Sequence, residues 1–128
     1  MTPDVYTASW AAGLFDGEGC VNLGWQTTGG IRRRLTLEMN HEKTVNAFAH
    51  IVGVGVVRPT KHGTFVWQVV SRQAETVARL LHPLSITKKE DLSRFLALSD
   101  LVNSRPLGRR TPPELREKYV TLIAENRK

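Results

Sequence analysis

The sequence predicts an α+β domain in which helices alternate with two β-hairpins, and three observations predict it. Two separate stretches alternate apolar and polar residues with a period of two, each broken by a short turn, at 27–30 and at 61–63. The segments between and after them repeat apolar residues at three- and four-residue spacing, the period of a helix packed on one side. At 128 residues, 41% of them hydrophobic, the chain can build one packed core but not two, so residues 1–128 are expected to form a single domain.

A first helix is expected over 2–16, capped by Thr2, entered through Pro3 and stopped at Gly17. Tyr6, Trp10 and Leu14 give it a thick stripe, whereas Ser9, Ala12, Gly13 and Asp16 give it a thin one. A strand follows over 20–26, with Val21, Leu23 and Trp25 on one side and Asn22, Gly24 and Gln26 on the other. Beyond the 27–30 turn, Arg33, Leu35 and Leu37 alternate with Arg32, Arg34 and Thr36 and complete a hairpin. Asn40 is the expected cap of a helix whose Val45, Phe48, Ala49 and Val52 share a face and which ends at Gly53. A second hairpin over 54–60 and 64–70 encloses Lys61, His62 and Gly63, with Phe65, Trp67 and Val69 on its apolar side. Ser71 can cap the next helix, which carries Val77, Leu80 and Leu81 and stops near Pro83. The segments 87–90 and 111–114 both match the capping box, and helices with Leu92, Phe95, Leu96, Leu122 and Ile123 as buried candidates follow them.

Eighteen Lys and Arg against twelve Asp and Glu leave a net charge of +6, which attracts polyanions if it gathers on one face. The longest apolar run, 51–57, is far too short to cross a bilayer, and no basic segment followed by an apolar run opens the chain. A single cysteine, Cys20, excludes a disulfide framework and a Cys-rich zinc site, and is expected to be a small buried side chain. An intracellular protein, cytoplasmic or nucleoid-associated or in an organelle, is therefore expected, with nucleic acid as partner and neither a membrane nor a small-molecule substrate. His41, His50, His62 and His82 have no spacing of a zinc site or catalytic triad and are expected at the surface or boundary.

The stretch 11–21 holds the densest chemical signal. A helix with a thin face, over which another helix can approach closely, runs into a Gly-rich turn with two acids, and a strand leaves at once. A carboxylate suspended there is a hard oxygen ligand suited to Mg²⁺, although an ordinary helix end closed by glycines and solvated acids is the plainer reading of Asp-Gly-Glu-Gly taken alone. Residues 11–19 resemble the motif of the LAGLIDADG homing endonucleases, with Ala12, Gly13, Leu14, Phe15, Asp16, Glu18 and Gly19 matching outright or as common variants. Ala11 stands where leucine is usual, and Gly17 is a frequent alternative to alanine. The element order resembles that fold as well, so the likeness spans nearly the whole chain and implies an αββαββα domain with a saddle-shaped antiparallel sheet and further C-terminal helices.

The resemblance implies an intron-encoded type of site-specific nuclease for double-stranded DNA. With one copy of the motif it implies a homodimer, the motif helices of two chains packing through Ser9, Ala12, Gly13 and Asp16. It assigns Glu18 to the metal-binding acid, the Gly17 carbonyl to a supplementary ligand, and Asp16 to a structural role at the helix end. Segment 82–90 resembles the stretch that carries a basic active-site residue, which falls on Lys88 with Lys89 as alternative. Met39 stands at the best match to a glutamine that reaches the water network in many relatives, so that role is in doubt here.

Strand parity supplies a reading independent of the motif. If Val21, Leu23, Trp25, Leu35, Leu37, Phe65, Trp67 and Val69 pack beneath the helices, the open face carries Asn22, Gln26, Arg32, Arg34, Thr36, Arg58, Thr60 and Gln68, three arginines and no acid. Arginine pairs with guanine, and Gln or Asn with adenine, when a β-ribbon lies in the major groove. Lys61, Arg109 and Arg110 are expected on phosphates. The alternatives are a DNA-binding regulator without nuclease activity and an RNA maturase that assists intron splicing.

Overall fold

In the computed structural model, which describes residues 4–26, 30–104 and 113–126, the elements run α1 (Val5–Glu18), β1 (Gly19–Trp25), β2 (Ile31–Met39), α2 (Glu42–Val52), β3 (Val56–Pro59), β4 (Phe65–Val70), α3 (Ser71–Leu81), a 3₁₀ turn (His82–Leu84), α4 (Lys89–Asn103) and α5 (Pro113–Asn126). The order is the predicted one. Two antiparallel hairpins lie side by side in one four-stranded sheet, β1-β2-β4-β3, with β2 against β4. The helices cover the face formed by Val21, Leu23, Leu35, Leu37, Trp67 and Val69, all buried. At the centre of this core the Phe15 and Phe48 rings stack 6.3 Å apart, and Trp67 meets Phe48 edge-on at 4.8 Å. Trp67 Nε1 donates to the Val54 carbonyl at 2.9 Å, so the one polar atom of this buried side chain is satisfied.

Several local signals resolve differently from the sequence expectation. Thr2, Pro3, residues 27–29 and the side chains of the 111–114 box lie outside the described residues. Helix α1 is capped by Asp4, whose carboxylate accepts the Thr7 N–H at 2.9 Å, and it continues through Gly17 and Glu18. It stops at Gly19, where any Cβ would run into the Phe15 ring, so the glycine is there for packing. Its two stripes do not divide inside from outside: Ala8, Ala11, Ala12 and Phe15 face the core with Leu14 against it, while Tyr6 (89% exposed) and Trp10 (44%) face out beside Ser9 and Gly13. Small residues inside let α1 lie close to α2 and α3. His41 rather than Asn40 caps α2, accepting the Thr44 N–H at 3.3 Å. Ser71 caps nothing; it is the first residue of α3, in the left-handed region at φ 55°. The 87–90 box does not form either, because α4 begins at Lys89 without a side-chain cap and an acid of α1 takes over the turn before it. Cys20 is exposed, on the face away from the helices. No helix among the described residues is long and apolar enough to cross a membrane.

One polar network lies within the core layer. Arg33, 7% exposed, donates to Ser99 Oγ at 2.9 Å and pairs with Glu75 at 3.4 Å. Glu75 in turn accepts from Arg79 and from Asn103. Partial burial pushes the Glu75 carboxyl up, but the Asn103 amide and the Arg79 and Arg33 guanidinium groups outweigh it and hold the carboxyl below its ordinary value. Strand β2 is thereby pinned to α3 and α4.

Candidate active site and nucleic-acid interface

The end of α1 carries two acids in opposite conditions. Asp16 is half-buried, and its two oxygens accept the backbone N–H groups of Ile86, at 2.8 Å, and Lys88, at 3.1 Å. Burial raises its pKa, yet these N–H bonds prevail and hold the carboxyl below the usual carboxylate range. The same bonds seat segment 85–88 against the last turn of α1, so Lys88 stands at the helix end that bears Glu18. Glu18 is exposed and makes no hydrogen bond or ion pair among the described residues. Gly17 beside it is exposed, with open space where a side chain would stand.

A free carboxylate next to an accessible carbonyl is the donor set of a hard cation, which commonly takes one or two carboxylates and completes its shell with water and substrate phosphate. No cluster of three or more His, Cys, Asp or Glu that could hold a metal occurs among the described residues. Among the described residues Glu18 and the Gly17 carbonyl are thus an open donor set, with positions left for water and a phosphate oxygen.

The sheet face away from the helices is organised by register. Cys20, Thr36, Gln68 and Val56 form one row across the four strands; Asn22, Arg34 and Val70 form the next; Glu38, Val66 and Arg58 lie on the other side of the first. Arg32 Nε donates to Asn22 Oδ1 at 2.7 Å, and Arg58 to Gln68 Oε1 at 3.4 Å, so two arginines are aimed by amides and form no ion pair among the described residues. Arg34 makes no ion pair among the described residues and its Nε has no hydrogen-bond partner. Gln26 is exposed just past β1. Lys61 is exposed in the second turn, where the Thr60 hydroxyl is engaged with Thr64 and the His62 N–H and closes the turn. Arg109 and Arg110 lie outside the described residues.

One sequence expectation about this face, that it carries no acid, needs correction, and the departure at Met39 has a structural counterpart. Met39 turns to the core side and packs against it. Glu38 shares the parity of Arg32, Arg34 and Thr36, lies one residue past the Gly19–Leu37 pair, and so occupies the end of the sheet from which Glu18 emerges. The face therefore carries an acid, held at 2.7 Å by the Thr64 hydroxyl. Strict alternation from Arg32 onward contained that signal.

The outward stripe of α1 is Tyr6, Ser9, Trp10, Gly13 and Gly17. Ala12, 0% exposed, is enclosed by its own core and has no surface to offer a partner; Asp16 is engaged with segment 85–88. Of the four expected contact residues, Ser9 and Gly13 lie on the open side. A Cβ at Gly13 or Gly17 would meet nothing within 4 Å, so the chain's own packing does not require glycine at either position.

No family model and no curated protein matches the chain. Solved structures do. The homing endonuclease I-CvuI, in complex with an I-CreI target in the presence of Mg, superposes with a TM-score of 0.82 at 19% identity over 94% of this chain and 80% of that one. The homing endonuclease I-TnaI gives 0.77 at 21% identity over 98% of this chain and 88% of that one. The LAGLIDADG meganuclease I-AabMI, bound to uncleaved DNA, gives 0.78 at 16% identity, over 91% of this chain and 43% of that one. The chain has the fold of the LAGLIDADG homing endonucleases.

Proposed function

We propose that two copies of this chain bind a long, roughly palindromic duplex and hydrolyse one phosphodiester in each strand with Mg²⁺. The observation that carries the proposal is Glu18, exposed and unpaired among the described residues, at the rim of a sheet face bearing three arginines. Arg32, Arg34 and Arg58 draw the duplex onto the sheet, and those that reach guanine edges fix its register. Asn22 and Gln68 orient two of the guanidinium groups, which lowers the entropy of docking them.

Glu18, with the Gly17 carbonyl, would hold the metal, which when bound supplies an activated water and neutralises charge at the departing oxygen. Lys88, held at the end of α1 by Asp16, adds positive charge beside the phosphate. Glu38, at the same end of the sheet and fixed by the Thr64 hydroxyl, would accept a proton from a water bound between it and the phosphate.

Dimerisation follows from α1. Glycine inside a helix costs about 1 kcal/mol relative to alanine, and Gly13 and Gly17 bear that cost for no contact within the chain. A second α1 approaching along this stripe makes both glycines useful, covers Trp10 and brings two Glu18 carboxylates together. The neighbours support the reading as a DNA-cleaving protein by what they are named: I-CvuI and I-TnaI as homing endonucleases, I-CvuI and I-AabMI as bound to DNA.

The test is cleavage of a plasmid carrying the two flanks of the gene joined across its insertion. The wild-type chain in Mg²⁺ should linearise it, and Glu18→Gln should bind it without cutting. Cutting by Glu18→Gln at the wild-type rate would remove Glu18 from the active site.

A further inference from the structure

The open face of the sheet is not uniformly polar. Val56, 67% exposed, and Val70, 45% exposed, are the large exposed hydrophobic residues of the strands, and both stand on the arginine side. Val56 is paired with Gln68 and Val70 with Arg34, which makes the two valines diagonal neighbours, ~7 Å apart by ordinary sheet geometry. With Arg58, Gln68 and Gln73 they line a groove of about 460 Å³.

A face evolved only to be solvated would carry polar residues here, and a face that met only phosphates would gain nothing from valine. A duplex major groove, by contrast, interleaves hydrogen-bonding edges with one apolar feature, the C5-methyl group of thymine. The flanking charge is of the right sign for that partner: Arg34 beside Val70 and Arg58 on the strand of Val56, neither of them paired with an acid among the described residues.

We infer that Val56 and Val70 are specificity-determining residues that receive thymine methyl groups, beside Arg58 and Gln68, which take hydrogen-bonding edges. The groove thus selects T at one or two positions of each half-site. The inference rests on the DNA-binding reading above and adds which base this edge of the sheet prefers.

The full-length chain in metal-free buffer would be used to select bound sequences from a randomised duplex pool. Each thymine of the enriched sequence would then be replaced by deoxyuridine, which removes only the methyl group. One or two thymines per half-site should lose about 4-fold in affinity on replacement, the yield of burying one methyl. In Val56→Ser or Val70→Ser that sensitivity should vanish while the melting temperature stays unchanged. Enrichment without uracil sensitivity, as when a second copy of the chain covers the valines, overturns the inference and leaves base reading intact. Sensitivity that persists in both variants overturns it too. A pool with no enriched sequence overturns base reading itself, and the inference with it.

Discussion

Asp16 and Glu18 stand two residues apart at the end of α1, yet one is engaged by the backbone of segment 85–88 and the other is left open. Strand β2 repeats the contrast in the opposite sign: Arg33 is locked among Glu75 and Ser99, and Arg34, the next residue, faces out with no acid for a partner among the described residues. In each pair the charge turned toward the helices is engaged inside the chain, by N–H groups for Asp16 and by a carboxylate and a hydroxyl for Arg33, and the charge turned toward the open face meets no opposite charge among the described residues. Desolvating an ion costs several kcal/mol, so an inward charge survives only with partners. An outward one needs none for the fold, and its freedom is informative about binding.

The largest separation of the two classes should come from Glu18→Gln. Cleavage should fall by about 10³-fold, several kcal/mol of lost charge stabilisation, while plasmid retention in a gel and the thermal midpoint stay at wild-type values. Substitution of the inward arginine should do the reverse. Arg33→Met removes one partner of a buried pair and should cost about 3 kcal/mol in urea denaturation. The loss is kept from being larger because Glu75 retains Arg79 and Asn103. Adding Glu75→Gln should recover part of the loss, since the buried charge then disappears as well.

Arg34→Ala and Arg32→Ala sharpen the contrast on the outward side. Each should leave the denaturation curve in place and relax base preference at one or two positions by about 1–3 kcal/mol, read from the spread of affinities over single-substituted duplexes. Equal weakening on all sequences, with a shallower salt dependence, would instead mark these arginines as phosphate contacts.

Periodicity made the element order and the sheet parity legible from sequence, because alternation in β1, β2 and β4 leaves little choice of which residues share a face. It also made Glu18 legible through the motif that surrounds it. Periodicity does not say which face of a helix is buried when both contain apolar residues. On α1 the alanine stripe with Phe15 turned inward because α2 and α3 pack close, and Tyr6 and Trp10 were left outside. Caps were misread for a different reason. The 87–90 box depends on local bonding, and a carboxylate from seventy residues earlier displaced it. His41, with a ring nitrogen available as acceptor, likewise displaced Asn40. Long-range partners of this kind leave no local trace in the sequence.

Asp16→Asn gives the smallest expected effect and the sharpest test of inward charge. The amide keeps one oxygen for the Ile86 or Lys88 N–H and loses the charge, so the cost should be about 1 kcal/mol at neutral pH, the net worth of one ordinary hydrogen bond. The Asp16 carboxyl is held below its ordinary value of 3.8 in the folded chain. The unfolded chain thus takes up this proton first as pH falls, and the stability from Asp16 is complete above pH ~4 and lost as pH drops through the lower folded value. Asp16→Asn should show a correspondingly flatter loss of stability in acid, its curve converging on that of wild type. An acid response unchanged by Asp16→Asn would mean that the bonds to segment 85–88 do not depend on the charge, and the division between the two acids of α1 would then rest on position alone.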